Sequence, residues 1–120
     1  MMNKREIGKK YETKAKSYLE NNGYKIIETN FSCKIGEIDI IAENEGYICF
    51  IEVKYRVADS LAKGMYAVDK NKQKKIYNVA NVYILARKLS QDTPCRFDVV
   101  SIDGDEITLI KNAFVGGKYG

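Results

Sequence analysis

The chain has 120 residues, a formal net charge of +4, 45% hydrophobic and 30% charged residues, and a single proline. That length suits one domain with one real core, and that balance is of a globular chain, neither disordered nor linker-rich; mild basicity permits a polyanionic partner without demanding one. Histidine is absent and the three cysteines, Cys33, Cys49 and Cys95, form no CxxC pair, which excludes His-based acid–base or nucleophilic chemistry and His-ligated zinc, and reads as reduced thiols in a cytosol.

From Lys4 to Asn22 the apolar residues Ile7, Tyr11, Ala15, Tyr18 and Leu19 recur at helical spacing, with lysines opposite. Asn21-Asn22-Gly23 is a helix stop, the glycine suited to a left-handed position. The charged segment before Ile7 has no apolar run after it, so no secretory signal is expected, and no stretch is long enough to span a membrane; the expected location is cytoplasmic. Tyr24 to Phe31 reads as a strand. Glu37 to Glu43 and Tyr47 to Tyr55 are strands rich in β-branched and aromatic residues, joined by the hairpin signal Asn44-Glu45-Gly46. Arg56 to Val68, with Lys63 and Gly64, has weak periodicity and reads as a loop. Asp69 caps a helix running to about Leu89, with Ile76, Val79, Ala80, Tyr83, Ile84 and Leu85 on one side. Gln91 to Pro94 is a loop. Arg96 to Ile102 and Glu106 to Ile110 are strands turned by Asp103-Gly104-Asp105, and residues 111–120 read as a loose tail. The expected fold is one α/β domain over residues 1–120, a mixed central sheet flanked by helices in the order α-β-β-β-α-β-β.

Within these strands the runs Gly36-Glu37-Ile38-Asp39-Ile40-Ile41 and Phe50-Ile51-Glu52-Val53-Lys54 hold charges in otherwise apolar company. A carboxylate stripped of water needs a cationic partner. Alternation places Glu37 with Asp39 on one face, and Glu52 with Lys54. A two-residue turn at Glu45-Gly46 sets Ile41 opposite Phe50, Asp39 opposite Glu52 and Glu37 opposite Lys54; a bulge would break this register. Two carboxylates about 5 Å apart repel by roughly 3 kcal/mol at an effective dielectric of about 20. A raised pKa, the Lys54 ammonium or a divalent cation would each offset that. The alternative is an Asp–Glu–Lys ionic cluster on a partly wet face, or charge that keeps an edge strand from aggregating.

Asp39 followed by Glu52-Val53-Lys54 resembles the D…(D/E)-x-K signature of restriction-endonuclease-like nucleases. The wider series, namely Gly8, Glu12, Ala15, Leu19 and Gly23, then Gly36 to Asp39, Phe50 to Arg56, Lys72-Gln73 and Arg96 to Val100, is similar to the YraN-like family, itself similar to archaeal Holliday-junction resolvases. The resemblance covers nearly the whole chain. It implies a restriction-endonuclease-like fold and a nuclease hydrolysing phosphodiester bonds of DNA, branched DNA included. It also implies Mg²⁺ or Mn²⁺ on Asp39 and Glu52, with the Val53 carbonyl a further ligand, and Lys54 near the attacking water or the phosphate. Glu12 would reach the site from the first helix, and resolvases of this fold are homodimers. Carboxylate oxygens suit Mg²⁺, and the chemistry needs no histidine.

Lys70, Lys72, Lys74 and Lys75 crowd the start of the second helix, and Gln73 and Tyr77 resemble a Q-x-x-x-Y element of related exonucleases. With Gln73, these lysines are candidate nucleic-acid contacts, lysine giving phosphate affinity without sequence readout. Blander readings stand beside these: a solvated helix face for the lysines, core packing for Tyr77, and for Glu12 a boundary carboxylate paired with Lys9 or Lys16. A binding module without cleavage, or a scaffold that keeps the fold, are the alternatives to an enzyme.

Overall fold

The structure is a computed structural model, and it describes residues 2–56 and 68–115. The element order is α1 (Lys4–Asn21), β1 (Lys25–Ser32), β2 (Glu37–Asn44), β3 (Tyr47–Arg56), α2 (Lys70–Ala86), β4 (Cys95–Asp103) and β5 (Glu106–Phe114), the order read from the sequence. The five strands form one sheet in the spatial order β1-β2-β3-β4-β5. Only β3 and β4 run parallel; the other neighbours are antiparallel. A parallel neighbour needs a long crossover, and α2 lies in it.

Strand alternation sorts the apolar residues into two cores. Tyr11, Ala15 and Leu19 of α1 pack on Ile40, Ala42, Cys49, Ile51, Val100 and Ile102. Ile76, Val79, Ala80, Tyr83 and Ile84 of α2 pack on Ile41, Phe50, Phe97 and Val99 from the other face. The helices therefore cover opposite sides of the sheet. Ile38, Ile40, Ile41 and Ile51 are essentially inaccessible, each contributing about 1.5–3 kcal/mol by burial.

Local signals set the ends of these elements. Asn3 caps α1 by accepting the Glu6 N–H at 2.9 Å, and Asp69 caps α2 through the Lys72 N–H at 2.8 Å. Gly23 follows α1 with φ +87°. Glu45 and Gly46 both take positive φ in the β2–β3 turn, the conformation a two-residue hairpin demands. Asn44 pairs with Tyr47 and Ile41 with Phe50, the register expected.

Three expectations are corrected. Leu85 is 65% exposed; α2 ends at Ala86 and Lys88 turns left-handed (φ +56°), so the apolar side closes at Ile84. Residues 111–114 are strand and not tail. Phe114 pairs with Phe97 and stacks on it at 5.0 Å, across an irregularity opposite Asp98 that hides the alternation in Lys111-Asn112. The Asp39/Glu52 rung is the third. The paired register of β2 and β3 ends at Ile40–Ile51, so the expected Glu37–Lys54 pairing does not continue it. The loop read over 56–68, with Lys63, falls largely on residues outside those described, as does the second half of the tail, 116–120.

Candidate functional site

The site begins where β2 and β3 stop pairing. In a regular β2, Ile38 and Ile40 would share a face. Instead Ile38 joins Ile41 in the α2-side core while Ile40 belongs to the α1-side core. The alternation skips at Asp39. The same happens on β1: Glu28 bonds Arg87 beyond α2, Thr29 and Asn30 both line a cavity under α1, and Phe31 returns to the α2 side. Asn30 has φ +55°, and asparagine tolerates the left-handed region better than most residues. It lies between the pairs Thr29–Ile40 and Phe31–Ile38, opposite Asp39. Because both strands skip together, their register survives. Asp39 is thereby turned towards β3, where its Oδ2 accepts the Val53 N–H at 2.8 Å.

This rotation brings acids together from two strands and one helix. Glu52 stays on the α2 face, where Lys72 Nζ lies 3.4 Å from its Oε2. The Asp39 carboxyl lies against that of Glu52, within reach of a side-chain hydrogen bond. Burial first, then the charge of Glu52, push the Asp39 carboxyl up to about 7, against the opposing pull of the Val53 N–H. Glu37 is raised by burial, then by Asp39 and Glu12, with Lys72 opposing. The cation felt by Glu37 is thus Lys72 from α2, where the extended hairpin register had placed Lys54.

A cavity of about 540 Å³ opens under α1, lined by Glu12, Glu37, Asp39 and Val53. Its rim is cationic: Lys4, Arg5, Lys9 and Lys16 line it too. Glu12 accepts a 2.9 Å hydrogen bond from the Asn30 side chain, in place of a pairing with Lys9 or Lys16. Lys54 belongs instead to a neighbouring groove with Glu52, Arg56, Ser101 and Ile102, and Val53 and Tyr55 line both. Lys70, Lys72 and Lys75 line a third depression at the start of α2, while Lys74 is exposed. Gln73 spends its side-chain N–H on the Val68 carbonyl at 2.7 Å, which anchors the start of α2. Tyr77 packs against the α2-side core near Phe97.

The hairpin put Asp39 with Glu52 and the resemblance added Glu12; in the structure Glu12 and Asp39 line one cavity, and Glu52 lies against Asp39 in the neighbouring groove. Sequence reasoning passed over Asn30, Glu37 and the α1 cations as site residues. The signal for the cations was present: residues 4, 5, 8, 9, 12, 13 and 16 share one helical face. Among the described residues, no group of three or more His, Cys, Asp or Glu side chains is arranged to hold a metal by itself. Two adjoining carboxylates with excess charge still fit a hard cation such as Mg²⁺, which takes one or two protein carboxylates and completes its shell with water and phosphate.

Residues 11–102 match the model of the uncharacterised protein family UPF0102. The chain belongs to the UPF0102 family. A UPF0102 protein of Fusobacterium nucleatum is 49% identical over 119 residues, 99% of both chains. One from Lachnoclostridium phytofermentans is 48% identical over 94% of this chain and 96% of the relative, and one from Clostridium kluyveri 45% over 92% and 94%. This is the YraN-like family that the residue series resembles. A solved structure described as the crystal structure of SSO0001 aligns over 88% of this chain with a TM-score of 0.41 and 18% identity; this chain spans about half of that one, at 50%. Among the described residues of this UPF0102 chain, no helix is long and apolar enough to cross a membrane.

The matched UPF0102 region contains a second buried acid. Asp98 of β4 is inaccessible and Arg96, two residues before it, is nearly so. The Asp98 carboxylate accepts from Arg96 Nε at 2.9 Å, the Tyr24 hydroxyl at 2.7 Å and the Asn112 N–H at 2.8 Å. Arg96 also donates to Asn44 Oδ1 at 2.6 Å. Burial, then the bond to Asp98, hold the Tyr24 phenol far above its ordinary range, and burial likewise pushes the Cys49 thiol up to about 12. Neither group ionises at neutral pH.

Proposed function

We propose that this UPF0102 chain is a metal-dependent phosphodiesterase acting on nucleic acid in the cytoplasm, with DNA the first candidate. One observation carries the reading: Asp39 and Glu52 are held against each other where β2 and β3 part, beside a cavity with an acidic floor and a cationic rim. A fold gains nothing in stability from pressing two carboxylates together. The resemblance of Asp39…Glu52-Val53-Lys54 to the restriction-endonuclease-like signature supports the same reading.

Asp39 and Glu52 would hold Mg²⁺ or Mn²⁺, with the Val53 carbonyl as a further ligand. The metal, when bound, makes a water acidic enough to attack and offsets charge on the phosphate. Everything else falls to the chain. The Val53 N–H fixes the orientation of the Asp39 carboxyl. Glu37 and Glu12 line the cavity beside Asp39 and offer carboxyl oxygens to a bound water. Lys54, beside Glu52 in the adjoining groove, stabilises negative charge on the phosphate. Lys4, Arg5, Lys9 and Lys16 grip the phosphate backbone from α1, and Lys70, Lys74 and Lys75 extend the charge along α2. Lysines at a helix start lie against its dipole; at α2 the N-cap Asp69 offsets it, and the first turn itself carries no acid. That placement favours an anionic ligand. Lys72 neutralises Glu52 until a cation replaces it. The homodimer implied by the resolvase resemblance belongs to this proposal, and light scattering reads it directly.

The test is cleavage of linear and branched DNA with Mn²⁺, with calorimetry of metal binding. Asp39→Asn keeps an oxygen for the Val53 N–H but removes the charge. It is expected to abolish measurable metal binding and lower cleavage by at least about 100-fold, the scale of losing one transition-state stabiliser. A second reading, a binding module without cleavage, draws on the described residues, among which no three acids are arranged to hold a metal. Salt-sensitive DNA binding that is equal in wild type and variant, with cleavage in neither, would establish it instead.

A further inference from the structure

We propose that Tyr55 is a stacking platform for an unpaired nucleobase, so that the substrate presents a single-stranded segment, branch or end at the acidic cavity. This rests on the nuclease reading of that cavity and specifies its substrate class.

Tyr55 lies two residues along β3 from Val53, whose N–H holds Asp39. Two strand residues advance about 7 Å, the reach from a phosphate to its own base. The Tyr55 ring is parallel to that of Tyr11 on α1, with centroids 4.4 Å apart and planes 13° off parallel. Tyr11 is buried at 8% exposure, while Tyr55 is 38% exposed. One face of Tyr55 is thus covered, and its accessible area belongs to the other face and the rim. The hydroxyl end lies over Gly8, where a Cβ would touch it at 3.5 Å.

The ring also has a decisive position. Tyr55 lines both the cavity of Asp39 and the groove of Glu52 and Lys54, and so forms the ridge between them. A large aromatic left half-exposed at such a ridge gains little for the fold. Its partner ring already fixes its orientation, so a base stacking on it orders no further side chain. Cations for phosphates beside an aromatic face for bases is the combination that binds single strands. In a duplex the base faces are occupied by their neighbours, so only an unpaired base fits the platform.

The chain contains no tryptophan, so Tyr55→Trp introduces a single indole reporter. The probes are a short oligothymidylate, its abasic counterpart with the same phosphates, and a duplex of equal length, in EDTA so that nothing is cut. Oligothymidylate is expected to quench the indole, and the abasic strand to leave it unchanged. Tyr55→Ala is expected to weaken oligothymidylate binding by on the order of 10- to 100-fold while sparing abasic and duplex binding. Tyr55→Phe keeps the ring and is expected to bind like wild type. Equal losses on all three probes, or no loss on any, would overturn the platform while leaving the nuclease reading in place. Wild-type protein that binds none of the probes, and cuts nothing with Mn²⁺, would overturn both.

Discussion

Asp98 and Asp39 both lie inside this sheet, and their surroundings differ in kind. Asp98 is wholly buried, and its carboxylate accepts from an arginine, a tyrosine and a backbone N–H. Asp39 is partly buried, faces Glu52, and has one backbone N–H and the more distant Lys72 to offset it. The first centre is electrically closed; among the described residues no buried side-chain polar atom lacks a partner. The second carries surplus negative charge and opens on a cavity. A closed centre joins β4, β5, the end of β2 and the residue before β1, while an open one waits for a cation. A buried acid is therefore no sign of function until its partners are counted.

Removing the acid from each centre should give opposite results. Asp98→Ala strands the Arg96 guanidinium in a dry interior and frees the Tyr24 hydroxyl. Loss of about 3–5 kcal/mol is expected in urea unfolding, the usual cost of breaking a buried pair. A loss below about 1 kcal/mol would mean that Arg96 finds water, and the contrast between the centres would fail.

Asp39→Asn should instead stabilise the metal-free protein, in a pH-dependent way. The folded pKa of Asp39 lies above its unfolded value, so between about pH 4 and pH 7 the folded state binds more protons than the unfolded one. Stability contributed by this group therefore falls as pH rises through that window. The variant should match wild type near pH 4 and exceed it by about 1–3 kcal/mol near pH 8. Mg²⁺ or Mn²⁺ should erase the difference by stabilising wild type alone. Marked destabilisation of the variant in EDTA would show that Asp39 serves a structural ionic cluster.

The smallest effect is expected at the cation of the open centre. Lys72 is about half exposed, so Lys72→Ala should change stability by less than about 1 kcal/mol. It should also raise the Asp39 pKa further, visible as a shift of the carboxyl titration by NMR. If Lys72→Ala cost as much as Asp98→Ala, the two centres would be equally closed.

Much of this was legible from residue order because it depends on neighbours in the chain. Periodicity gave both helices, and Gly23 and Asp69 marked where the first ends and the second begins. The Asn44-Glu45-Gly46 turn set the β2–β3 register as far as Ile40–Ile51, one rung short of Asp39 and Glu52. Lys54 and Gln73 were harder. One lies across a strand edge from the Asp39 cavity, and the other is committed to the Val68 carbonyl. No spacing rule reports such contacts.

Sequence alone determined the elements, their order and the two acids of the hairpin, since turns, caps and alternation act over a few residues. The tertiary structure decided how those acids are aimed. The skip at Asn30 and Asp39 requires two strands to twist together, and the cationic rim requires α1 to cross that same spot. Arg96 and Asp98 likewise become a closed centre only when Tyr24, Asn44 and Asn112 arrive from other strands and turns. Charge compensation acts through space, so it is settled only when distant segments meet.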